Sequence, residues 1–131
     1  MSQENVEIVR EMYKAFHSGD AEGALAHFDP EVEVDASSRV DGEVGRGHED
    51  LARIISQWTD AFEAWREDIE GIRDAGDRVC VVATQRGRGR ESGIDIETRY
   101  AVVYEVQRGK IIGMALYAEP AEALEAVGLT E

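Results

Sequence analysis

The chain has 131 residues, of which 43% are hydrophobic, and it carries a formal net charge of −14. This length fits one domain with its own core, and this hydrophobic content excludes a disordered chain. So large an acidic excess argues against binding to nucleic acid or to anionic membranes, both of which attract clustered positive charge.

The start of the chain and its apolar runs indicate a cytoplasmic protein. No apolar run is long enough to span a membrane, and the first residues, Met-Ser-Gln-Glu-Asn, are too polar for a secretory signal. The single cysteine, Cys80, has no partner for an internal disulfide and is interpreted as a small buried hydrophobe. The three histidines show no metal-ligand spacing, so we predict neither a metal nor a cofactor.

Two helices are predicted before residue 30. Apolar residues at helical spacing between Ser2 and His17 form the inner face of a long first helix: Val6, Val9, Met12, Tyr13 and Phe16. Gly19 is a natural stop, and Asp20 is a suitable N-cap for a second helix. The second helix is predicted over Ala21–Phe28, because the Asp29-Pro30 pair disfavours its continuation.

A strand, a helix and another strand are predicted over residues 31–73. Glu31–Ala36 alternates between polar and apolar residues, as a strand does, and a polar connection over residues 37–47 contains a short strand near Val44. A helix begins near His48 and carries an apolar stripe of Leu51, Ile54, Ile55, Trp58 and Phe62. The next strand, Trp65–Arg73, has Gly71 between two isoleucines, which predicts a bulge.

Three consecutive strands form the centre of the predicted fold. Arg78–Gln85 and Ile111–Ala118 are apolar at both parities, so we expect both of their faces to be covered. The strand between them alternates, and one of its faces carries Ile94, Ile96, Thr98, Tyr100, Val102, Tyr104 and Val106. Glycines weaken strand pairing, so residues 86–93 are predicted to be a hairpin connection, and residues 107–110 form the next turn.

A short helix is predicted at the end of the chain. Pro120 lies at its start and Gly128 just past its end, which is the usual asymmetry of helix termini. Its inward residues are predicted to be Ala121, Leu124 and Val127. Antiparallel hairpins with one polar face need helices on the other face, and both ends of the chain supply them. The sequence therefore predicts one α+β domain over residues 1–131.

Several short stretches resemble SnoaL-like proteins of the nuclear transport factor 2-like superfamily. The matching stretches are Tyr13–Asp20, His27–Pro30, Gly45–Glu49, Ser92–Gly93, Arg108–Ile111 and Glu122–Leu129. The resemblance implies a cone-shaped fold, in which a curved, mixed but mainly antiparallel sheet wraps a long N-terminal helix. It also implies a pocket between sheet and helices, and a homodimer formed through the sheet.

The resemblance implies several chemistries, because the superfamily includes polyketide cyclases, ketosteroid isomerases, dehydratases, epoxide hydrolases and non-catalytic binders. Cyclases and isomerases of this kind use a carboxylate base at the end of the first strand. Without a gap that position falls on Ala36, and with a one-residue gap it falls on Asp35. Alternation gives another interpretation, since Asp35 faces water if Val34 and Ala36 face the pocket.

Other candidate groups come from the same resemblance. The family's helical tyrosine aligns closer to Met12 than to Tyr13, and its second donor falls at Tyr100 or Ala101. Tyr100 is thus either a donor or a core aromatic residue. His48 is either an acid–base group or an exposed residue at a helix start. The epoxide-hydrolase pattern needs a carboxylate two residues after Arg99, where this chain has Ala101.

Two functions follow as hypotheses. The first is an isomerase or cyclase acting on a hydrophobic carbonyl compound, with Asp35 as base and Tyr100, Tyr13 or His48 assisting. The second is a non-catalytic domain that binds a small hydrophobic molecule. Either way, we expect an apolar pocket lined by Tyr13, Tyr100, Met12, Phe16, Trp58, Phe62, Val102, Met114 and Leu116.

Two surface features complete the predictions. The sheet face opposite the helices is predicted to carry Val79, Val81, Ile111 and Tyr117 and to form a two-fold dimer interface. The one basic cluster, Arg86, Arg88 and Arg90, is either a solvated hairpin tip or an anion site at the pocket mouth.

Overall fold

A six-stranded sheet with helices at both ends of the chain makes up the fold in the computed structural model, which describes residues 2–38 and 42–130. The helices are α1 Ser2–His17, α2 Ala21–Leu25, α3 Gly47–Thr59 and α4 Pro120–Ala126. The strands are β1 Phe28–Asp35, β2 Val44–Arg46, β3 Phe62–Ala75, β4 Arg78–Gly89, β5 Asp95–Gln107 and β6 Lys110–Tyr117. The predicted α+β class is confirmed. Residues 39–41 of the predicted polar connection lie outside the described residues.

The sheet is mixed but mainly antiparallel, with the strand order β2-β1-β6-β5-β4-β3. Strands β3 to β6 follow one another as antiparallel neighbours, and β1 adds to β6 in parallel. The predicted bulge in β3 is present, because the register with β4 shifts between Ile69 and Gly71. The sheet is curved and unclosed, which fits the predicted cone.

The main core lies between α1 and one face of the sheet, which we call the inner face. The inner face of β5 carries Tyr100, Val102, Tyr104 and Val106, all at most 3% exposed. Val9 of α1, which is fully buried, belongs to the same cluster. The predicted helical and strand periodicities therefore meet in one core.

A smaller cluster lies on the opposite, outer face of the sheet, under α4. It contains Cys80, Val82, Ala101, Val103, Ala123 and Leu124. The prediction that Val79, Val81 and Ile111 lie on the outer face is wrong, because all three are fully buried in the main core. A run that is apolar at both parities does not itself show which parity faces the helices.

Several helix and strand boundaries differ from the predicted ones because residues near them pair in the sheet. Helix α2 ends at Leu25, three residues early, because Phe28 already pairs with Ile111 of β6. Phe62 begins β3 instead of extending the stripe of α3.

The N-terminal half of the predicted hairpin connection is in fact strand. Strand β4 continues to Gly89, although the prediction ended it at Gln85. A Cβ on Gly87 would lie 3.1 Å from the Cβ of Phe62, so the glycine permits close packing within the strand.

Helix α4 also differs in its inward face. Ala123 and Leu124 are buried, whereas Ala121, which was predicted to face inward, is exposed. No helix within the described ranges is long and apolar enough to cross a membrane.

Candidate functional site

A cavity of about 200 Å³ lies between α1, α2 and α3 on one side and the inner face of the sheet on the other. Much of its wall is aromatic, formed by Tyr13, Phe16, Phe28, Trp58, Trp65 and Tyr104. Aliphatic side chains of α2 and α3 add to the wall, and Ala52 and Ser56 are its exposed residues on α3. The wall therefore combines a large apolar surface with a few polar groups.

Most of the residues predicted for the pocket lie on this wall. Met12, Tyr13, Phe16, Trp58, Val102 and Met114 line the cavity. Phe62, Tyr100 and Leu116 are not among the lining residues. Tyr100 packs against Trp58, with ring centroids 5.2 Å apart, and is 3% exposed. These three predicted residues therefore belong to the packing around the cavity.

Asp35 lies outside the cavity, so the structure does not bring it together with Tyr13 or Tyr100. Its neighbours Val34 and Ala36 are 2% and 4% exposed, and strand alternation places Asp35 on the outer face. There its Oδ1 accepts hydrogen bonds from the Ser37 hydroxyl at 2.5 Å and from the Ser37 backbone N–H at 3.0 Å. These bonds stabilise the carboxylate and lower the pKa of Asp35.

We expect Asp35 to titrate below the pKa of a free aspartate in an NMR pH titration. Since its folded pKa is lowered, its contribution to stability is present at neutral pH and is lost as the pH falls below about 4. Ser37→Ala removes the hydrogen bond from the Ser37 hydroxyl, which lowers the pKa of Asp35 the most. The pKa of Asp35 should therefore rise toward its usual value. A pKa above that of free aspartate would contradict the placement of Asp35 on the outer face. It would instead favour Asp35 as a base that faces the cavity.

His48, the predicted acid–base candidate, has a structural contact instead. It donates from Nε2 to the backbone carbonyl oxygen of Phe28 at 2.9 Å. This bond joins the first turn of α3 to the start of β1. His48 is half-buried and is not among the lining residues of the cavity.

Glu67 brings a carboxylate to the cavity wall. Among the described residues it is the one acidic residue that lines the cavity, and its side chain is 3% exposed. His17, at the end of α1, donates a hydrogen bond from Nε2 to Glu67 Oε1 at 2.9 Å. The side chain of His17 is 34% exposed, so this pair connects a buried carboxylate to water.

Two tyrosine hydroxyls meet on the same wall. The hydroxyl oxygens of Tyr13 and Tyr104 are 2.7 Å apart, and both side chains are buried. Burial raises the pKa of Tyr13 and of Tyr104 well above the usual value, and the negative charge of Glu67 raises both further. Both hydroxyls therefore keep their protons at neutral pH. One donates to the other, and the acceptor retains a proton for a ligand.

Tyr13→Phe and Tyr100→Phe are the same chemical change, but only Tyr13→Phe should lower the stability of the protein. Tyr13→Phe leaves the Tyr104 hydroxyl without its partner, which should lower the free energy of unfolding by about 1–3 kcal/mol. The Tyr100 hydroxyl is buried and has no hydrogen-bond partner among the described residues. Its removal should leave stability unchanged or raise it by about 1 kcal/mol. Urea unfolding of both variants measures the difference, and equal losses would contradict it.

The arginines of the predicted basic cluster are engaged by neighbouring acids and backbone. Arg86 pairs with Asp68 and Glu97, and Arg88 pairs with Asp95. Arg90 donates to a backbone carbonyl oxygen at 2.8 Å. None of these arginines lines the aromatic cavity. Within the described ranges, no group of three or more His, Cys, Asp and Glu side chains is arranged to hold a metal ion.

Trp65, Glu67 and Tyr104 are among the wall residues that the sequence analysis did not predict. For Glu67 a signal existed, because it has the same strand parity as Trp65 and Ile69. An acidic residue between two apolar ones on one face indicates a buried carboxylate. Alternation places Tyr104 on the same strand face as Val102, but strand parity alone does not give its distance to α1.

The family model of the SnoaL-like domain matches residues 9–114. A search of curated proteins gives no significant match. Among solved structures, an NTF2-like protein of unknown function from Burkholderia pseudomallei is 23% identical, with a TM-score of 0.77, covering 95% of this chain and 98% of that one.

Two similar structures were determined with a small molecule. TerC, co-crystallised with polyporic acid, is 20% identical over 95% of this chain and 98% of its own, with a TM-score of 0.74. A protein with a ketosteroid isomerase-like fold from Catenulispora acidiphila, in complex with trimethylamine, is 18% identical over 94% and 93%, with a TM-score of 0.73. At these identities the likeness shows the fold alone. Since the family model matches most of the chain, this protein belongs to the SnoaL-like domain family.

Proposed function

We propose that the cavity binds a small hydrophobic carbonyl compound and that Glu67 removes a proton from the carbon next to its carbonyl group. The reaction would be of the isomerase or cyclase type. One observation carries this proposal: a carboxylate with a 3% exposed side chain on the wall of a mainly aromatic cavity. Glu67 takes the role that the sequence had suggested for Asp35.

The chemistry needs a base and a hydrogen-bond donor. The Glu67 carboxylate accepts the proton, and the electron pair of the broken C–H bond moves into the carbonyl group to form an enolate. The hydroxyl pair of Tyr13 and Tyr104 can donate to the enolate oxygen, because burial keeps both hydroxyls protonated. Return of the proton to another carbon gives isomerisation, and attack of the enolate carbon on a second carbonyl gives ring closure.

His17 fits this scheme as a positioning residue. Its hydrogen bond fixes Glu67 Oε1, while its partial exposure gives it access to solvent protons. The Glu67 side chain is only 3% exposed and the cavity wall beside it is mainly aromatic, so few water molecules compete with its interactions with a bound molecule.

Hydrogen–deuterium exchange tests the proposal without knowledge of the natural substrate. Acetophenone incubated with the protein in D₂O should lose its methyl proton NMR signal faster than in buffer with an equal concentration of acetate. The proposal requires that this acceleration depend on Glu67. An exchange rate equal to that of the acetate control would contradict it.

A second function, binding without catalysis, is favoured by the placement of Asp35. The residue that can align with the family's base lies outside the cavity and is held by Ser37. In this case the apolar wall holds a hydrophobic ligand and Glu67 orients its polar end. Saturable binding of acetophenone without accelerated exchange would identify this function.

We also propose that two copies of the chain associate through the outer face of the sheet. Val44 is 66% exposed and lies on an open groove of that face together with Ala115 and Tyr117, which are half-buried. Apolar groups exposed in this way favour a two-fold interface. Sedimentation that shows only monomer at micromolar concentration would contradict the dimer.

A further inference from the structure

Both tryptophans of the chain donate to the same oxygen atom. The indole nitrogens of Trp58 and Trp65 lie 2.8 Å and 2.9 Å from Gln85 Oε1. Trp58 belongs to α3, Trp65 to β3 and Gln85 to β4. One amide oxygen thus joins a helix to two neighbouring strands behind the cavity wall.

The shared acceptor fixes the orientation of two rings that line the cavity. The ring centroids of Trp58 and Trp65 are 6.0 Å apart with an interplanar angle of 70°, and Phe16 continues the row 5.9 Å from Trp65. An indole that rotated about its side-chain bonds would lose its partner, which costs free energy in a half-buried site. The row therefore presents ring faces and edges to the cavity in a fixed orientation. A flat ring of a ligand can pack against them by stacking or edge to face, which are the contacts that aromatic rings prefer.

The position of Gln85 relates this aromatic row to the carboxylate. Gln85 pairs with Glu67 across β3 and β4, and the tryptophans and Glu67 line one cavity. A ring that stacks on the row therefore lies in the same cavity as the acidic group. The cavity volume of about 200 Å³ is little larger than an apolar cavity of roughly 150 Å³ that holds benzene. This space suits one six-membered ring with a small polar substituent.

We propose that Gln85 is a specificity-determining positioning residue, which holds Trp58 and Trp65 so that the cavity selects compounds with one flat ring over open-chain compounds. The inference rests on the proposed small-molecule function of the cavity and adds the class of its ligand. Gln85 is not among the lining residues itself, so it acts through the two indoles.

A matched pair of ketones tests the inference. Acetophenone and 2-octanone both have a methyl ketone and the same number of carbon atoms, but only the first has a flat ring. Binding of each is measured by ligand-observed NMR and by the fluorescence of the two tryptophans. We expect the wild-type protein to bind acetophenone about tenfold more tightly than 2-octanone, which is the preference that one or two aromatic contacts provide.

Substitutions at Gln85 then separate specificity from stability. Gln85→Leu removes the acceptor and should bring the ratio of the two affinities close to one, whereas Gln85→Glu keeps an oxygen acceptor and should retain most of the ratio.

If Gln85→Leu fails to fold, Trp65→Phe serves instead, because it keeps a ring but loses one donor, and it should lower the ratio. The inference would be overturned if the wild-type protein bound neither ketone or bound both equally well. It would also be overturned if the affinity ratio were unchanged in Gln85→Leu, or in Trp65→Phe where that variant is used instead. Binding with the expected ratios but without proton exchange would overturn only the proposed catalysis.

Discussion

Glu67→Gln is expected to slow the exchange of acetophenone methyl protons, and turnover of any carbonyl substrate, by about 10²–10⁴-fold, the usual contribution of a general base. Glutamine has the shape of glutamate and keeps an oxygen that can accept the hydrogen bond from His17. It cannot accept the proton from the substrate carbon. Ligand affinity should therefore change little while the rate falls.

The matched control for Glu67→Gln is Asp35→Asn. It removes an acidic group of the same charge from the outer face, where Asp35 is exposed and outside the cavity. We expect this variant to exchange protons at the wild-type rate. A rate loss below tenfold in Glu67→Gln, or an equal loss in Asp35→Asn, would exclude Glu67 as the base. Circular dichroism spectra of both variants verify that the fold is intact.

Leu124→Ala is expected to have the largest effect on stability, a loss of about 2–5 kcal/mol in the free energy of unfolding, which is the usual cost of truncating a buried leucine. Leu124 is 2% exposed and packs in the outer cluster, and its carbonyl oxygen accepts a hydrogen bond from the Leu129 N–H at 2.8 Å. Helix α4 has only seven residues, so it is too short to be stable without this packing.

The reactivity of the Cys80 thiol measures the docking of α4 in Leu124→Ala without an unfolding experiment. The residue is fully buried in the cluster with Leu124, and burial raises the pKa of its thiol. Weaker docking of α4 should therefore make Cys80 react faster with a thiol reagent. Ala121→Ser on the exposed side of α4 is the control and should change stability by less than about 0.5 kcal/mol. An equally small change in Leu124→Ala would show that α4 does not stabilise the sheet.

The sequence alone determined the order and type of the elements. Helical spacing of Val6, Val9 and Tyr13 predicted α1, and the alternation of residues from 94 to 106 predicted β5. Helices and strands have different side-chain periods, and burial of one face imposes that period on the residues themselves. Turn residues added the boundaries, as with Gly76, whose φ is +81° between β3 and β4.

The tertiary structure decided which groups meet at the cavity. Asp35 and Glu67 are both acidic residues of strands, but only Glu67 has a parity that turns it toward α1, where His17 contacts it. Gln85 had no distinguishing pattern in the sequence, yet it accepts hydrogen bonds from both tryptophans.

These contacts join residues that are far apart in the chain. Tyr13 and Tyr104 are 91 positions apart, and their hydroxyls meet because α1 crosses the inner face of β5. Local periodicity gives the face on which a residue lies, because neighbouring residues share one helix or strand. It does not give the partner across the core, which depends on sheet register and on how the helix packs against the sheet.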